Sequence, residues 1–271
     1  MSLTIKEFIQ QFQTFAPESY AVEGDPTGLH FGRLDQEIHK ILVTLDIRPE
    51  VVEEAKAIGA DFIFAHHPPI FKPVKRLTED DPQQAMYAEI IRSGIGVYAA
   101  HTNLDAAPEG MNDWLSDLYE IQNVELLRAH TTDETTGQAI GIGRIGDLAE
   151  PMTLEVFGEF VKTKTGVNGL RMVVADGNRP VKRVAVLGGD GGSYFEDALA
   201  KGADTFVTGD VYYHTGHDMI AAGLNVIDPG HHFESIVKSK MTDKFIQWND
   251  ENNWQVDVVI SQLNTDPFTF I

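Results

Sequence analysis

Residues 40–69, KILVTLDIRPEVVEEAKAIGADFIFAHHPP, decide the fold class of this chain. The segment begins with a β-branched apolar run, passes through a turn and an amphipathic helical pattern, and ends in a second apolar run. A strand, a helix and a strand in this order predict two parallel strands joined by a right-handed crossover. Pro68 and Pro69 exclude helix from the residue before them, so His66 and His67 are predicted to stay at the tip of the second strand.

The same pattern recurs in the second half of the chain. Residues 182–214, KRVAVLGGDGGSYFEDALAKGADTFVTGDVYYH, again pass from a strand through a helix and the tripeptide Gly-Ala-Asp to a strand. A further helix and a third strand follow each segment: AMYAEIIRSG and GVYAAHTNLD, then HTGHDMIAAG and LNVIDPGHHFE. We therefore predict an α/β fold of two similar β-α-β-α-β halves, with helices packed on mainly parallel sheets.

The two halves are assigned to residues 1–125, which carry HHPP and HTNLD, and 126–271, which carry GDVYYH and DPGHHFE. A soft boundary near 125–140 coincides with the polar loop HTTDETTGQ. Beyond it, AIGIGRIGDL predicts a short strand, PMTLEVFGEFVKTKTG a helix that starts near Thr153, and LRMVVAD another strand. The tail predicts a helix and one more strand, VDVVIS.

The composition excludes several classes of site and partner. The chain has no cysteine, so disulfides, thiolate metal sites and cysteine nucleophiles are excluded. Lysine and arginine total 21 against 41 acidic residues, and the formal net charge of −20 opposes non-specific binding to nucleic acids and anionic membranes. The N-terminus predicts an amphipathic helix capped by Thr4 with Glu7 three residues on, and no apolar run approaches the roughly 20 residues that span a bilayer. We therefore expect a cytoplasmic protein.

The histidines concentrate where ligands bind in α/β sheets, beyond the carboxyl ends of the strands. Seven of the ten lie at or just after predicted strand ends: His66, His67, His101, His214, His217, His231 and His232. By itself HHPP is equally compatible with a metal site and with a rigid turn that exposes two imidazoles. His217 is predicted to sit in the following helix, away from any site.

Two carboxylates favour the metal site. Asp105 ends HTNLD, on a third strand placed next to the first in an ordinary doubly wound order, and Glu234 follows His231 by three residues. If a helix starts after Gly230, His231 and Glu234 share one face. Five ligands suit a dinuclear centre between the halves, with His101 or His214 free to orient the carboxylates. The predicted ligands are His66, His67, Asp105, His231 and Glu234.

Three glycine-rich stretches carry weaker signals. GIGRIG at 141–146 fits a dinucleotide fingerprint literally but precedes no helix, so a kinked strand is predicted there. GGDGGS at 188–193 suits either an anion site or a tight strand–helix turn. In DPTGLHFG at 25–32, Asp25 either lines a site or belongs to a structural loop.

Five segments together resemble one known family: DPTGLHFG, TLDIRPEVVEEAKAIGADFIFAHHPPIF, AAHTNLDAAPEGMND, GDVYYH and IDPGHHFES. Over nearly its whole length the chain resembles the Nif-three-like family, also labelled GTP cyclohydrolase 1 type 2 homologues. The resemblance implies a two-domain α/β fold, a ring-shaped homohexamer with metal sites facing an inner cavity, and the same five metal ligands. Some relatives place the glutamate four residues after the histidine, where this chain has three. Many carry an extra domain between the halves; segment 121–181 is too short for one, so we predict its absence.

The leading functional hypothesis is a metal-dependent hydrolase that holds two divalent cations and acts on a purine nucleotide, as GTP cyclohydrolase 1 type 2 relatives are labelled. One metal would deliver hydroxide, the other would polarise the electrophile, Glu234 rather than Asp105 would bridge them, and His101 would move protons. A metal-dependent phosphoesterase and a metal-binding or regulatory module without turnover are the alternatives. Imidazole and carboxylate ligands fit zinc, iron, manganese and nickel.

Overall fold

A computed structural model of the chain describes residues 2–271. Its strands are β1 (Leu3–Thr4), β2 (Gly28–Phe31), β3 (Glu37–Ile38), β4 (Lys40–Thr44), β5 (Phe62–Ala65), β6 (Gly96–Ala99), β7 (Gln122–Thr132), β8 (Ala139–Met152), β9 (Arg171–Val173), β10 (Val181–Asp190), β11 (Thr205–Gly209), β12 (Asn225–Asp228) and β13 (Asp257–Ile260). Its α-helices are α1 (Ile5–Gln13), α2 (Pro49–Ile58), α3 (Pro82–Ser93), α4 (Thr102–Ala106), α5 (Met111–Leu118), α6 (Leu154–Thr165), α7 (Phe195–Ala200), α8 (Tyr213–Ala221) and α9 (Ile236–Asn252).

The chain forms two compact units whose boundaries differ from the predicted halves 1–125 and 126–271. The first unit comprises Met1–Leu104 and Val237–Thr265, and the second Asp105–Ile236 and Asp266–Ile271. The tail returns to the first unit because β13 pairs in parallel with β4. The region near 125–140 is no linker, since β7 and β8 pair there as one long antiparallel hairpin.

The sheet of the first unit has the strand order β13-β4-β5-β6-β2. Strands β4, β5 and β6 are parallel, as predicted, and β2 is antiparallel to β6. The expectation that the third strand lies next to the first is wrong, because β6 pairs with β5. Gly96 makes this approach possible: it lies opposite Phe62, and a Cβ there would come 2.8 Å from the Phe62 ring. Consequently β5 and β6 end side by side at one edge.

Aromatic side chains fill the core between α1, the first sheet and α9. The predicted N-terminal helix is confirmed, with Thr4 and Glu7 forming a reciprocal capping box. Phe8 of α1 contacts Phe245 of α9 with ring centroids 5.3 Å apart, and Phe64 of β5 lies 4.9 Å from the same ring. Phe245 is 1% exposed. Burial of such a ring stabilises the fold by roughly 1.5–3 kcal/mol, which explains why the tail belongs to this unit.

The sheet of the second unit has the order β7-β8-β10-β11-β12-β9. Its centre, β10-β11-β12, is parallel and confirms the predicted repeat, whereas the flanking strands are antiparallel. GIGRIG lies within β8, a strand of 14 residues rather than a short one. It is kinked as predicted: Gly143 has a φ of 69°, and a Cβ on Gly141 would lie 1.9 Å from the carbonyl oxygen of Arg128. The helix after it is capped by Thr153, also as predicted.

Candidate metal centre

His66 is oriented by the backbone of the neighbouring strand end. It follows β5 directly and is fully buried, with Nδ1 lying 2.7 Å from the carbonyl oxygen of Ala100. Because a carbonyl group only accepts hydrogen bonds, Nδ1 carries the proton and Nε2 carries the lone pair of the neutral ring. The ring therefore presents the nitrogen that a metal ion requires.

His67 is oriented by a carboxylate that sequence analysis did not single out. Its Nδ1 lies 2.6 Å from Oδ1 of Asp46, which follows β4. The other oxygen of Asp46 accepts a hydrogen bond from the Thr265 hydroxyl, so the carboxylate is itself held in place. An aspartate directly after an apolar strand, in TLDI, was the available signal.

His101 completes a group of three imidazoles, which we call the histidine cluster (His66, His67 and His101). Ring centroids lie 4.9 Å apart for His66 and His67, 5.4 Å for His66 and His101, and 5.8 Å for His67 and His101. Nδ1 of His101 lies 2.5 Å from Oδ2 of Asp25. The Asp25 side chain is 5% exposed. Of the two interpretations of Asp25, the structure favours the one in which it lines the site.

A second group of ligating side chains, the His231 cluster (Asp210, His231 and Glu234), lies in the second unit. A 3₁₀ helix begins at His231, so the predicted turn after Gly230 is present. Nε2 of His231 lies 3.2 Å from Oε2 of Glu234, and Nδ1 lies 2.8 Å from Oδ2 of Asp210. Asp210 holds this position with a φ of 52°, in the left-handed region that aspartate adopts more readily than most residues other than glycine.

The His231 cluster attracts positive charge. Burial disfavours the imidazolium, but hydrogen bonds and charge from Glu234 and Asp210 outweigh it and raise the pKa of His231 to about 10. Glu234 is only 1% exposed. A buried carboxylate so placed is stabilised by a neighbouring cation, and in this structure the imidazolium is that cation.

Two glycines of GGDGGS make room for this cluster. A Cβ on Gly188 would lie 2.6 Å from Oε1 of Glu234, and a Cβ on Gly189, where φ is 65°, would lie 3.1 Å from Nε2 of His231. An anion bound at these glycines would meet the carboxylate of Glu234. The structure therefore favours the tight strand–helix turn over the anion site, with β10 followed by a 3₁₀ turn at Gly192–Tyr194.

Asp105 and His214 each lie on a helix that follows a strand end. HTNLD forms the helix α4 rather than a strand end, and Asp105 in it is 8% exposed, with its carbonyl oxygen accepting a hydrogen bond from Asn112. His214 lies on α8 with its ring 5.4 Å from that of Tyr213. The acceptors that hold the Nδ1 atoms of His67, His101 and His231 are Asp46, Asp25 and Asp210.

A cavity of ≈ 250 Å³ opens in the second unit beside the strand ends of β11 and β12. Its lining includes the aromatic rings of Tyr212, Tyr213 and His217 and the side chain of Arg171. Asp228 connects this cavity to the His231 cluster: Oδ2 accepts hydrogen bonds from Val211 and Arg171, and Oδ1 accepts one from the backbone of Gly230. Asp228 therefore lines the cavity and also holds the backbone of Gly230, the residue before His231. A ligand in the cavity would contact this buried carboxylate.

Comparison with known proteins gives a consistent result. Residues 3–267 match the family described as Duf34/NIF3, NGG1p interacting factor 3. The GTP cyclohydrolase 1 type 2 homolog of Streptococcus pneumoniae is 41% identical over 268 residues, covering 98% of each chain, and that of Bacillus subtilis is 33% identical over 371 residues, covering 100% of this chain and 99% of its own. Among solved structures, a Bacillus cereus protein related to NIF3 is 30% identical with a TM-score of 0.95 over 100% of both chains. A Staphylococcus aureus protein is 29% identical with a TM-score of 0.92 over 99% of both.

No helix among residues 2–271 has the length and apolar character needed to cross a bilayer.

Proposed function

The chain belongs to the Duf34/NIF3 family, and from this premise we propose that it is a dinuclear metal-dependent hydrolase acting on a purine nucleotide. One observation carries the proposal: His66 and His67 each engage a fixed acceptor through Nδ1, the carbonyl of Ala100 and the carboxylate of Asp46, which leaves Nε2 of each ring as the ligating nitrogen. Imidazoles held in this way by a carbonyl or carboxylate are the usual arrangement around protein-bound metals.

We propose that the histidine cluster and the His231 cluster supply ligands to the same pair of divalent cations. The ligands of this proposal are His66, His67, Asp105, His231 and Glu234, three imidazoles and two carboxylates. This donor set has nitrogen and oxygen atoms and no sulfur, so it fits zinc, iron, manganese or nickel. When bound, the cations would lower the pKa of a water molecule and polarise the electrophile.

Asp25 and His101 are proposed to handle the proton. Because Asp25 accepts from Nδ1, the lone pair of a neutral His101 is on Nε2, the nitrogen that would take a proton from water or return it to a leaving group. His101 belongs to the histidine cluster, so this base would act where the cations are proposed to bind.

The cavity at Tyr212, Tyr213 and His217 supports a ring-bearing substrate. Its volume of ≈ 250 Å³ suits a bicyclic base, and its aromatic side chains provide faces for offset stacking. The curated relatives carry the name GTP cyclohydrolase 1 type 2 homolog, and a guanine nucleotide is therefore the first substrate to test.

The test begins with metal content per chain, by inductively coupled plasma mass spectrometry on protein purified without chelator or nickel resin. About two metals per wild-type chain are expected, and a variant with His66→Ala and Glu234→Ala should lose them. Loaded protein is then incubated with GTP. A ring-opened product without inorganic phosphate supports the proposal, whereas release of phosphate from GTP or an aryl phosphate would favour a phosphoesterase. Metal binding without product from any nucleotide would indicate a non-catalytic module.

The proposal also includes a homo-oligomer, with the hexamer implied by the family resemblance as the specific expectation. Light scattering on a sizing column measures the mass directly. A mass of one 30.0 kDa chain at micromolar concentration would contradict it.

A further inference from the structure

The loop that follows the two metal-site histidines is unusually cationic for this chain. Lys72, Lys75 and Arg76 lie within one short segment, and all three are exposed, in a protein whose formal net charge is −20. Within residues 2–271, none of the three forms an ion pair or hydrogen bond. Other basic side chains, such as Lys56 and Arg183, each pair with two carboxylates. These three charges are therefore available to a ligand.

The acidic residues that follow the loop do not neutralise it. Glu79 forms an ion pair with Arg92, and Asp81 caps α3 by accepting hydrogen bonds from the backbone of Gln83 and Gln84. Only Asp80 of this acidic stretch has no such partner among the described residues. The three positive charges of the loop, on Lys72, Lys75 and Arg76, lie close together in sequence and repel one another. A bound anion removes that repulsion.

The loop is anchored at both ends beside the histidine cluster. The Tyr87 hydroxyl donates a hydrogen bond of 2.5 Å to the carbonyl oxygen of Pro69, and the backbone N–H of Thr78 donates one of 2.8 Å to the Gln84 side chain. Phe71, 60% exposed, meets the ring of His101 edge to face, with centroids 6.2 Å apart. The chain between these anchors therefore stays close to the proposed catalytic residues.

We propose that this cationic loop, residues 70–77, binds the polyphosphate chain of the substrate. The inference rests on the proposed function and deepens it by naming the charged part of the substrate. Lysine and arginine side chains are the usual partners of phosphate oxygens, because each contact is a charge-assisted hydrogen bond. A net charge of −20 repels a polyanion over the rest of the surface, so a local group of three cations directs it to the histidine cluster.

The test compares two triple variants with the same change in net charge. The first is Lys72→Gln, Lys75→Gln and Arg76→Gln. The control is Lys6→Gln, Lys162→Gln and Lys240→Gln, three helical lysines outside the loop. Binding of inorganic tripolyphosphate to metal-loaded protein is measured by isothermal titration calorimetry at low and high salt. We expect Kd to rise about tenfold in the loop variant and less than about twofold in the control, since each exposed charged contact contributes a factor of roughly two to three.

Salt dependence supplies a second readout. Removal of three phosphate contacts should flatten the dependence of log K on log salt in the loop variant, while the control keeps the wild-type slope. Equal weakening in the two variants would show a general charge effect and overturn the proposal. Unchanged binding in the loop variant would also overturn it, as would loop-dependent binding of an acidic peptide with none of tripolyphosphate.

Metal content, measured on the same samples, separates this inference from the proposed function. The loop variant should retain the wild-type metal content, because none of the three side chains is a proposed ligand. If wild-type protein holds no metal but tripolyphosphate still binds through the loop, the hydrolase proposal fails and the anion site stands. If metal is present and the loop variant binds tripolyphosphate as the wild type does, the loop proposal fails alone.

Discussion

Substitution of Gly188 by alanine tests whether the carboxylate of Glu234 holds metal. The added Cβ would lie 2.6 Å from Oε1 of Glu234 and 3.3 Å from Cγ of Met111. Ordinary contact begins at 3.4 Å, so the oxygen would have to move by roughly 0.8 Å. Metal–ligand distances tolerate changes of only about 0.2 Å. Because Glu234 is 1% exposed, its side chain has no open solvent into which to turn.

We therefore expect Gly188→Ala to weaken metal binding by about 10–100-fold, or about 1.4–2.8 kcal/mol, the range found when the positioning of a ligand is disturbed. The assay is competition with a chromophoric chelator for zinc and manganese. Overpacking should also lower the free energy of unfolding by roughly 1–3 kcal/mol, measured with urea in the presence of a chelator, so that the two effects are separated.

Gly192→Ala is the matched control within the same glycine-rich stretch. A Cβ there meets its nearest neighbours, Asp190 and Thr215, at 3.4 and 3.5 Å, which is ordinary contact, and wild-type metal binding is expected. If Gly188→Ala folds, as judged by its circular dichroism, and binds both metals with wild-type affinity, Glu234 is not a ligand and the proposed centre is wrong in that residue.

Three further predictions follow from other contacts. Asp46→Asn should reduce metal affinity about 10–100-fold in the chelator competition, because the amide no longer fixes the tautomer of His67, and unchanged affinity would argue against His67 as a ligand. Burial lowers the pKa of His30, so the folded chain binds fewer protons than the unfolded chain, and the protein loses stability as pH falls through about 6.5. When the pH is lowered from about 7.5 to about 5.5, the free energy of unfolding should therefore fall less for His30→Gln than for wild type. Phe245→Ala should cost roughly 3–5 kcal/mol in urea unfolding, whereas Ile246→Ala, at a position 46% exposed, should cost much less, and equal losses would contradict the placement of α9 in the first core.

Strand ends were predictable because both halves of the chain carry the same local signals. The apolar runs at β5 and β12 are short; His66 follows β5 directly and His231 follows β12 by three residues, and hydrophobic periodicity locates such ends well. Domain boundaries were not predictable in this way. The return of α9 and β13 to the first unit depends on Phe245 packing against residues far away in sequence, and no local pattern encodes that contact.

Two of the three aspartates that orient the imidazoles were missed for a related reason, and Asp25 was considered without its partner. Asp46 and Asp210 each stand after a strand in a turn that also suits an ordinary loop, and their role appears only when the neighbouring strand end is in place. Asp25 lies farther still from its partner, 76 residues before His101. The backbone conformation of Asp210, with a φ of 52°, could not be predicted from the sequence either. Aspartate adopts positive φ too often for that conformation to mark a site.

The two aspartate–histidine pairs show how such a site can arise from fold geometry. Asp46 and His67 are separated by 21 residues, and Asp210 and His231 are also separated by 21. The two pairs do not occupy equivalent places in the β-α-β-α-β repeat. The first pair spans β4 and β5, the first and second strands of one repeat, whereas the second pair spans β11 and β12, the second and third strands of the other. In both cases one strand–helix–strand crossover brings two strand ends to the same edge, with a carboxylate after one strand and an imidazole after its parallel neighbour. The spacing therefore reflects the length of a crossover rather than a duplicated site, and an aspartate one crossover before a strand-end histidine is a sequence signal for an oriented imidazole in this kind of fold.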